Sequence, residues 1–285
     1  MQRPGGTVIT SVALVLLCLL GAAHAFAQKA KPPAAAPVIP LSKAALDKLR
    51  APDANDVKAA LDDARLSGKG AVAAAPIIVD LLQKGLPYGL TENALDTLGD
   101  IEWEGATPTI AWYARHRKAE IRRSAVRALV RTKGAVAVKA LRVALSDDDP
   151  RVRGFAATGL GSLHAKEAVS DLFLALDHKV NEAAVSIGQL CAPAECESLQ
   201  GRLGRIPFDV VTSGLDQVLF RPPGEVSDDA KVKLVGRVRE LGSGEANKYL
   251  KDVQARWPAT WSSRVKNSID QGVQATTGSA GSGGQ

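Results

Sequence analysis

The sequence predicts an all-α chain built from repeated antiparallel helix pairs, and three observations predict it. The first is self-similarity at a spacing of 31 residues. Ala94, Ala125 and Ala156 stand in register, followed by Leu98, Leu129 and Leu160; the next segment gives Ala106, Ala137 and Ala168, then Ile110, Leu141 and Leu172. The second is the spacing of apolar residues inside each segment. Ile121, Ala125, Ala128 and Leu129, and then Val138, Leu141, Ala144 and Leu145, fall on one face of a helix. The third is composition: 46% of the 285 residues are hydrophobic but only 4% aromatic. Small apolar side chains suit closely packed helices better than β-sandwiches. A charged fraction of 23% excludes wholesale disorder, and one short apolar run, at the N-terminus, excludes a multi-span membrane protein.

Residues 1–27 have the three parts of a secretory signal peptide. Arg3 lies in the leading region, Val12 to Leu20 form the apolar stretch, and two overlapping Ala-x-Ala sites follow at Ala23 and Ala25. Cleavage is expected after Ala27. An uncleaved anchor is the alternative, although Thr10, Ser11, Gly21 and His24 interrupt the apolar run. Cys18 follows Leu17, where a lipoprotein signal wants a small residue. The mature protein is therefore expected in a bacterial periplasm or secreted. Residues 28–40 carry prolines at 32, 33, 37 and 40 and read as an extended linker.

Repeats are expected over residues 41–206. Residues 56–66 and 70–82 read as a first pair. Gly99 and Gly161, just after the periodic leucines, suit a tight turn or contact with the next helix. Gly134 opens the turn into the helix of Val138 and Leu141, and Asp149-Pro150 supplies an N-cap and a first-turn proline. The next unit is shortened to a spacing of 27, since Ala156 to Leu163 matches Ala183 to Leu190. Beyond 206 the register fades. Helices are expected at 208–220, 228–241, 245–257 and 258–274, so that residues 207–275 form a helical C-terminal cap of the same domain. Residues 276–285 read as a flexible Gly/Ser tail.

Asp149-Pro-Arg-Val-Arg-Gly-Phe-Ala-Ala-Thr-Gly-Leu-Gly-Ser-Leu163, followed by Glu167-Ala-Val-Ser-Asp-Leu-Phe-Leu-Ala-Leu176, resembles a HEAT-like repeat of the short, phycobilisome-lyase type. The resemblance covers residues 91–200 and extends back toward 56. It implies an α-solenoid of stacked antiparallel helix pairs that presents a curved face to partners. No functional residue carries over, because the motif positions are core and turn residues.

Little in the sequence points to chemistry. Cys191 and Cys196 are the only cysteines beyond the signal, and in an oxidising compartment they are a candidate disulfide, with two buried thiols as the alternative. Their spacing is not Cys-x-x-Cys, and no nearby histidine completes a zinc site. His116, His164 and His178 each sit near a helix end. Ser263 and Lys266 match a two-residue Ser-x-x-Lys pattern whose partner motifs are missing. No catalytic residue, metal site or cofactor is expected, and the protein reads as a non-enzyme.

The formal net charge is +6, and the basic residues concentrate between 115 and 142 with Glu120 as the only acid there. Arg115, Arg117, Arg123, Arg127, Arg131 and Arg142 are the candidate anion- or partner-binding residues, and the alternative is compensation by Asp96, Asp147, Asp148 and Asp149 on neighbouring repeats. Trp103, in a turn, is the candidate exposed contact, while Trp112 and Tyr113 read as inter-repeat packing. The expected function is a scaffold or adaptor that holds another cell-envelope protein on a concave face lined by residues 70–82, 106–115, 137–145 and 168–176. The alternative is a binder of anionic polymers or a membrane surface through the basic stretch. Nucleic acid is not an expected partner, and the oligomeric state is left open.

Overall fold

Glycines and alanines that recur in the sequence register end up where helix backbones approach one another, and this sets the architecture of the computed structural model. The structure describes residues 40–279. The expected signal peptide, all but the last residue of the expected linker, and residues 280–285 lie outside the described residues. Apart from two isolated bridges, the described residues form helices and the turns between them.

Six first helices stack side by side: α2 (Ala54–Ser67), α4 (Tyr88–Ile101), α6 (Ala119–Thr132), α8 (Pro150–Ser162), α10 (Ala183–Leu190) and α12 (Phe208–Leu219). Their second helices are α3 (Ala75–Lys84), α5 (Thr107–Tyr113), α7 (Gly134–Ala144), α9 (Val169–Asp177) and α11 (Pro193–Gln200). A short α1 (Lys43–Lys48), which the sequence reading does not anticipate, covers the exposed side of α2; Ser42 caps it at Ala45 N. Such end units are needed because a solenoid repeat cannot bury its apolar face alone. The fold is thus an all-α solenoid of stacked antiparallel helix pairs.

The register residues form the core. Ala94, Leu98, Ala125, Leu129, Ala156 and Leu160 are fully buried, as are Ala106, Ile110, Ala137, Leu141, Ala168 and Leu172. Each buried leucine or isoleucine contributes about 1.5–3 kcal/mol relative to exposure. The glycines decide how closely the first helices approach. A Cβ on Gly99 would lie 3.0 Å from Ala128 Cα, and one on Gly188 would lie 2.0 Å from Gly214 O. Any side chain at Gly188 would push α10 and α12 apart.

A second periodic feature follows α4, α6 and α8. Glu102, Lys133 and His164 follow the first helices at the same spacing of 31, and all three have positive φ (57°, 64° and 53°). A residue with positive φ ends a helix and redirects the chain into its partner. Gly134 shares this geometry with φ 81°. The expected second helix at 70–82 divides into a 3-10 turn (Gly68–Ala74) and then α3, with Pro76 in the first turn of the latter.

Past α12 the pairing gives way to α13 (Asp228–Glu240), α14 (Gly244–Arg256) and α15 (Ser263–Ser279), with α15 packed against both others. Ser227 and Ser243 cap α13 and α14. Two boundaries differ from the sequence expectation. Residues 258–262 form a turn in which Trp261 N donates to Pro258 O, so α15 begins at Ser263 rather than at 258. The helix also runs through residues 276–279, which the sequence assigns to the tail. The Asn247 amide explains this: it donates to Val273 O, Thr276 Oγ1 and Thr277 Oγ1, and Thr276 is buried.

The junction between repeats and end unit is held by two cations. Arg221 donates to Cys191 O (2.9 Å) and Gly188 O (2.6 Å), tying the chain after α12 to the end of α10. Lys231 is buried, donates to Arg221 O at 2.7 Å and packs against the rings of Trp257 and Trp261. Burial lowers the pKa of both.

Candidate surface of the second helices

The large apolar residues left in solvent are unevenly distributed. Trp112, Val143 and Leu174 are 68%, 53% and 60% exposed. They sit on α5, α7 and α9 at intervals of 31, so they occupy the same position in three successive repeats. Each precedes a buried residue: Tyr113, Ala144 and Ala175. On α5, Ile110 and Tyr113 point inward, and the Tyr113 hydroxyl donates to Leu82 O at 2.7 Å. Trp112 is one helical step of about 100° away from Tyr113 and therefore faces outward. Isolated exposed apolar residues are ordinary, but three in one row form a patch.

Grooves flank the members of this row. A cavity of about 520 Å³ between α3 and α5 is lined by Gly85, Pro108 and Trp112. One of about 460 Å³ between α5 and α7 is lined by Arg115, Arg117 and Val143. The third, about 870 Å³ between α7 and α9, is lined by Val143, Leu174, Lys139 and Asp148. Ridges and grooves alternate across three repeats.

The loops beside the grooves are fixed by recurring polar contacts. The Arg122 guanidinium donates to both Asp147 oxygens at 2.7 Å and to His116 O at 2.9 Å. Arg153, 31 residues later, donates to Asp147 O and Asp148 O at 2.8 and 3.0 Å. Thr91 fills the corresponding place one repeat earlier, its hydroxyl donating to Leu86 O and Pro87 O. These bonds supply donors to the loop carbonyls, and Pro87 O accepts from Thr91 N as well.

The two sequence-predicted aromatic assignments are reversed. Trp103 is half-buried against the core, with its indole folded over Gly105, where an added Cβ would meet the ring at 2.3 Å. Trp112 is the exposed tryptophan. The alignment of Trp112 with Val143 and Leu174 was legible in the sequence, but the inward position belongs to the following residue.

The basic stretch is largely paired across repeats. Arg123 bonds Asp149, Arg127 reaches Asp96 at 3.0 Å, Arg131 reaches Asp100 at 2.9 Å, and Arg142 reaches Asp171 at 2.5 Å. The first three lie on the first-helix side. Arg123 and the amides of Val152 and Arg151 hold the Asp149 carboxyl far below its ordinary range. Arg117 donates to Tyr88 Oη at 2.5 Å, and Lys118 lies over the Tyr88 ring. Arg115 is exposed. The six candidate arginines therefore do not form one site: Arg115, Arg117 and Arg142 border the grooves, and the others bind neighbouring first helices.

Cys191 and Cys196 form a disulfide with a Cα–Cα distance of 5.3 Å, linking the C-terminal end of α10 to the body of α11. His116 accepts from Lys118 N through Nδ1 and stacks near Tyr113. His164 occupies the left-handed turn described above, and His178 Nδ1 lies 2.9 Å from Leu174 O. Lys266 pairs with Asp270 rather than with Ser263. Among the described residues, no three His, Cys, Asp or Glu side chains gather where they could hold a metal ion.

No protein-family model matches the chain, and no curated protein matches it in sequence. Solved structures are similar at low identity. The complex of CpcE and CpcF of phycocyanin lyase from Nostoc sp. PCC7120 shares 18% identity over 87% of this chain and 98% of that chain, with a TM-score of 0.45. An engineered protein shares 15% identity over 83% of this chain and 96% of that chain, with a TM-score of 0.38. A designed armadillo repeat protein shares 13% identity over 81% and 98%, with a TM-score of 0.37. The class of the protein, a helical repeat solenoid, rests on the helix stacking described above.

Proposed function

We propose that this protein is an exported, non-enzymatic scaffold that holds another cell-envelope protein on the face of its second helices. The row Trp112, Val143 and Leu174, with a groove beside each member, carries this reading. Stacked repeats hold such a surface in place before a partner arrives, so little ordering entropy is lost on binding. Export is supported by the composition of residues 1–27, and the Cys191–Cys196 disulfide fits an oxidising compartment. Binding of anionic polymers or membrane by the basic stretch is the weaker reading, because Arg123, Arg127, Arg131 and Arg142 already have carboxylate partners.

Affinity capture with cross-linking from a periplasmic fraction tests the reading. Wild-type protein should recover a reproducible protein partner, and the V143E/L174E double variant should not. The interaction should persist at physiological ionic strength, where binding through exposed charges alone weakens sharply. Equal recovery by both proteins would remove the second-helix face from the proposal.

A further inference from the structure

We infer that the Cys191–Cys196 disulfide is an exchangeable redox site for a dithiol reductant, in which Cys191 leaves as a thiolate held by the Arg221 guanidinium. This chemistry is independent of what the second helices bind. It follows from the different surroundings of the two sulfurs and from the lack of an anion beside Arg221.

Arg221 follows α12 and reaches back to the end of α10. Nη1 donates to Cys191 O at 2.9 Å; Nη2 donates to Gly188 O at 2.6 Å and lies 3.5 Å from Cys191 Sγ. Nε is buried without a hydrogen-bond partner. Arg221 has no ion pair among the described residues, and Glu225 attracts it only from a longer distance. The neighbouring charge is another cation, since the buried Lys231 donates to Arg221 O. On α11, Glu195 accepts from Ala192 N and Glu197 pairs with Lys233, so both acids of that helix are held elsewhere.

A disulfide sulfur is neutral and leaves the guanidinium uncompensated, whereas a thiolate at Cys191 supplies the missing anion. Burial alone raises the pKa of a thiol, but a cation in hydrogen-bond contact favours the thiolate. The contact decides the balance at Cys191, because Arg221 is half withdrawn from water and attracts an anion more strongly there. The other sulfur has the opposite setting. Cys196 Sγ lies 3.3 Å from Cys191 O, an electron-rich neighbour that disfavours negative charge.

The asymmetry gives exchange a direction. A reductant thiolate attacks Cys196 Sγ, the Cys191–Cys196 bond breaks, and its electron pair leaves on Cys191 Sγ beside Arg221. The second thiol of the reductant loses its proton to water and attacks the mixed disulfide at the reductant's own sulfur. Cys196 is expelled and takes up a proton. The dithiol ends as its cyclic disulfide, both cysteines are reduced, and one proton is released in all because Cys191 stays ionised. Both cysteines are buried, so the reductant reaches Cys196 when α11 opens locally; of that helix only Cys196, Leu199 and Gln200 are buried.

Equilibration of the full chain with dithiothreitol tests this. Samples are quenched in acid, unfolded and alkylated, and the peptide carrying Cys191 and Cys196 is quantified by mass spectrometry. Release of a proton makes the equilibrium constant for reduction depend on pH. From pH 7 to pH 8 it should rise at least about fivefold in the wild type, whereas two ordinary thiols with pKa near 8.5 give a rise of less than about twofold. Arg221→Gln should bring the rise below about twofold. A smaller rise in the wild type, or the same rise in R221Q, would overturn the inference. If circular dichroism shows R221Q to be unfolded, ultraviolet thiolate absorbance of the reduced wild type at pH 7 decides instead. One thiolate per chain is expected, and none would overturn the assignment to Cys191.

Discussion

Substituting Gly188 by alanine should destabilise the protein even though alanine is the better helix former. Gly188 lies on α10 against Gly214 of α12. An added Cβ would stand 2.0 Å from Gly214 O and 2.7 Å from Gly214 C, where ordinary contact begins near 3.4 Å. The reciprocal contact is as close, since a Cβ on Gly214 would lie 2.3 Å from Ala184 O. The obstacles are backbone atoms, so the helices must separate by about 1 Å or more to restore ordinary contact distances. Removing glycine from a helix interior gains about 1 kcal/mol. Overpacking a rigid interface costs about 1–3 kcal/mol, and here the separation also loosens the fully buried Ile187 and Leu215. The net expectation is a loss of about 1–2 kcal/mol. Gly236 on α13 is the control: nothing lies within 4 Å of its added Cβ, so G236A should gain up to about 1 kcal/mol. Urea unfolding followed by circular dichroism should show the two midpoints moving in opposite directions. Movement in the same direction by the same amount would refute the claim that glycine sets the spacing of the first-helix layer.

Three further outcomes follow from named contacts. His164→Gly should raise the thermal midpoint, because a non-glycine residue at φ 53° costs about 1–2 kcal/mol that the turn does not need. Asp149→Ala should cost about 1 kcal/mol at neutral pH, since Asp149 accepts from Arg151 N and Val152 N and pairs with Arg123. Its folded pKa is depressed, chiefly by Arg123, so its stabilisation is fully present above the unfolded value near pH 4. That stabilisation is lost as pH falls from there through the folded value, and the difference between variant and wild type should narrow in acid denaturation below pH 4. The Cys191–Cys196 disulfide closes only a short loop, so stabilities from melts with and without reductant should differ by no more than about 2 kcal/mol.

The helix pairs were legible because the burial of Ala94, Leu98 and their equivalents is a property of periodic sequence. Turn positions were less so: Glu102, Lys133 and His164 have nothing in common chemically, and only the backbone reveals their shared positive φ. The exposed row was half visible. Trp112, Val143 and Leu174 aligned, but a large apolar residue next to another leaves open which of the two points inward. Tyr113 takes that place because its hydroxyl finds Leu82 O, a partner 31 residues away that no local pattern announces. Ion pairing of the basic stretch is non-local too. Asp96 and Asp100 reach Arg127 and Arg131 only because α4 packs on α6. The last helix outran the expected tail boundary for the same reason, since Asn247 on α14 supplies the bonds that fix residues 276 and 277.

Site-specific photo-crosslinking tests most directly whether the face of the second helices is where partners dock. A benzophenone amino acid placed at Val143, on α7, should give a discrete cross-linked protein band in the native compartment. The same group at Thr158, exposed on the first helix α8, should give none. A band at position 158 with none at 143 would contradict the account.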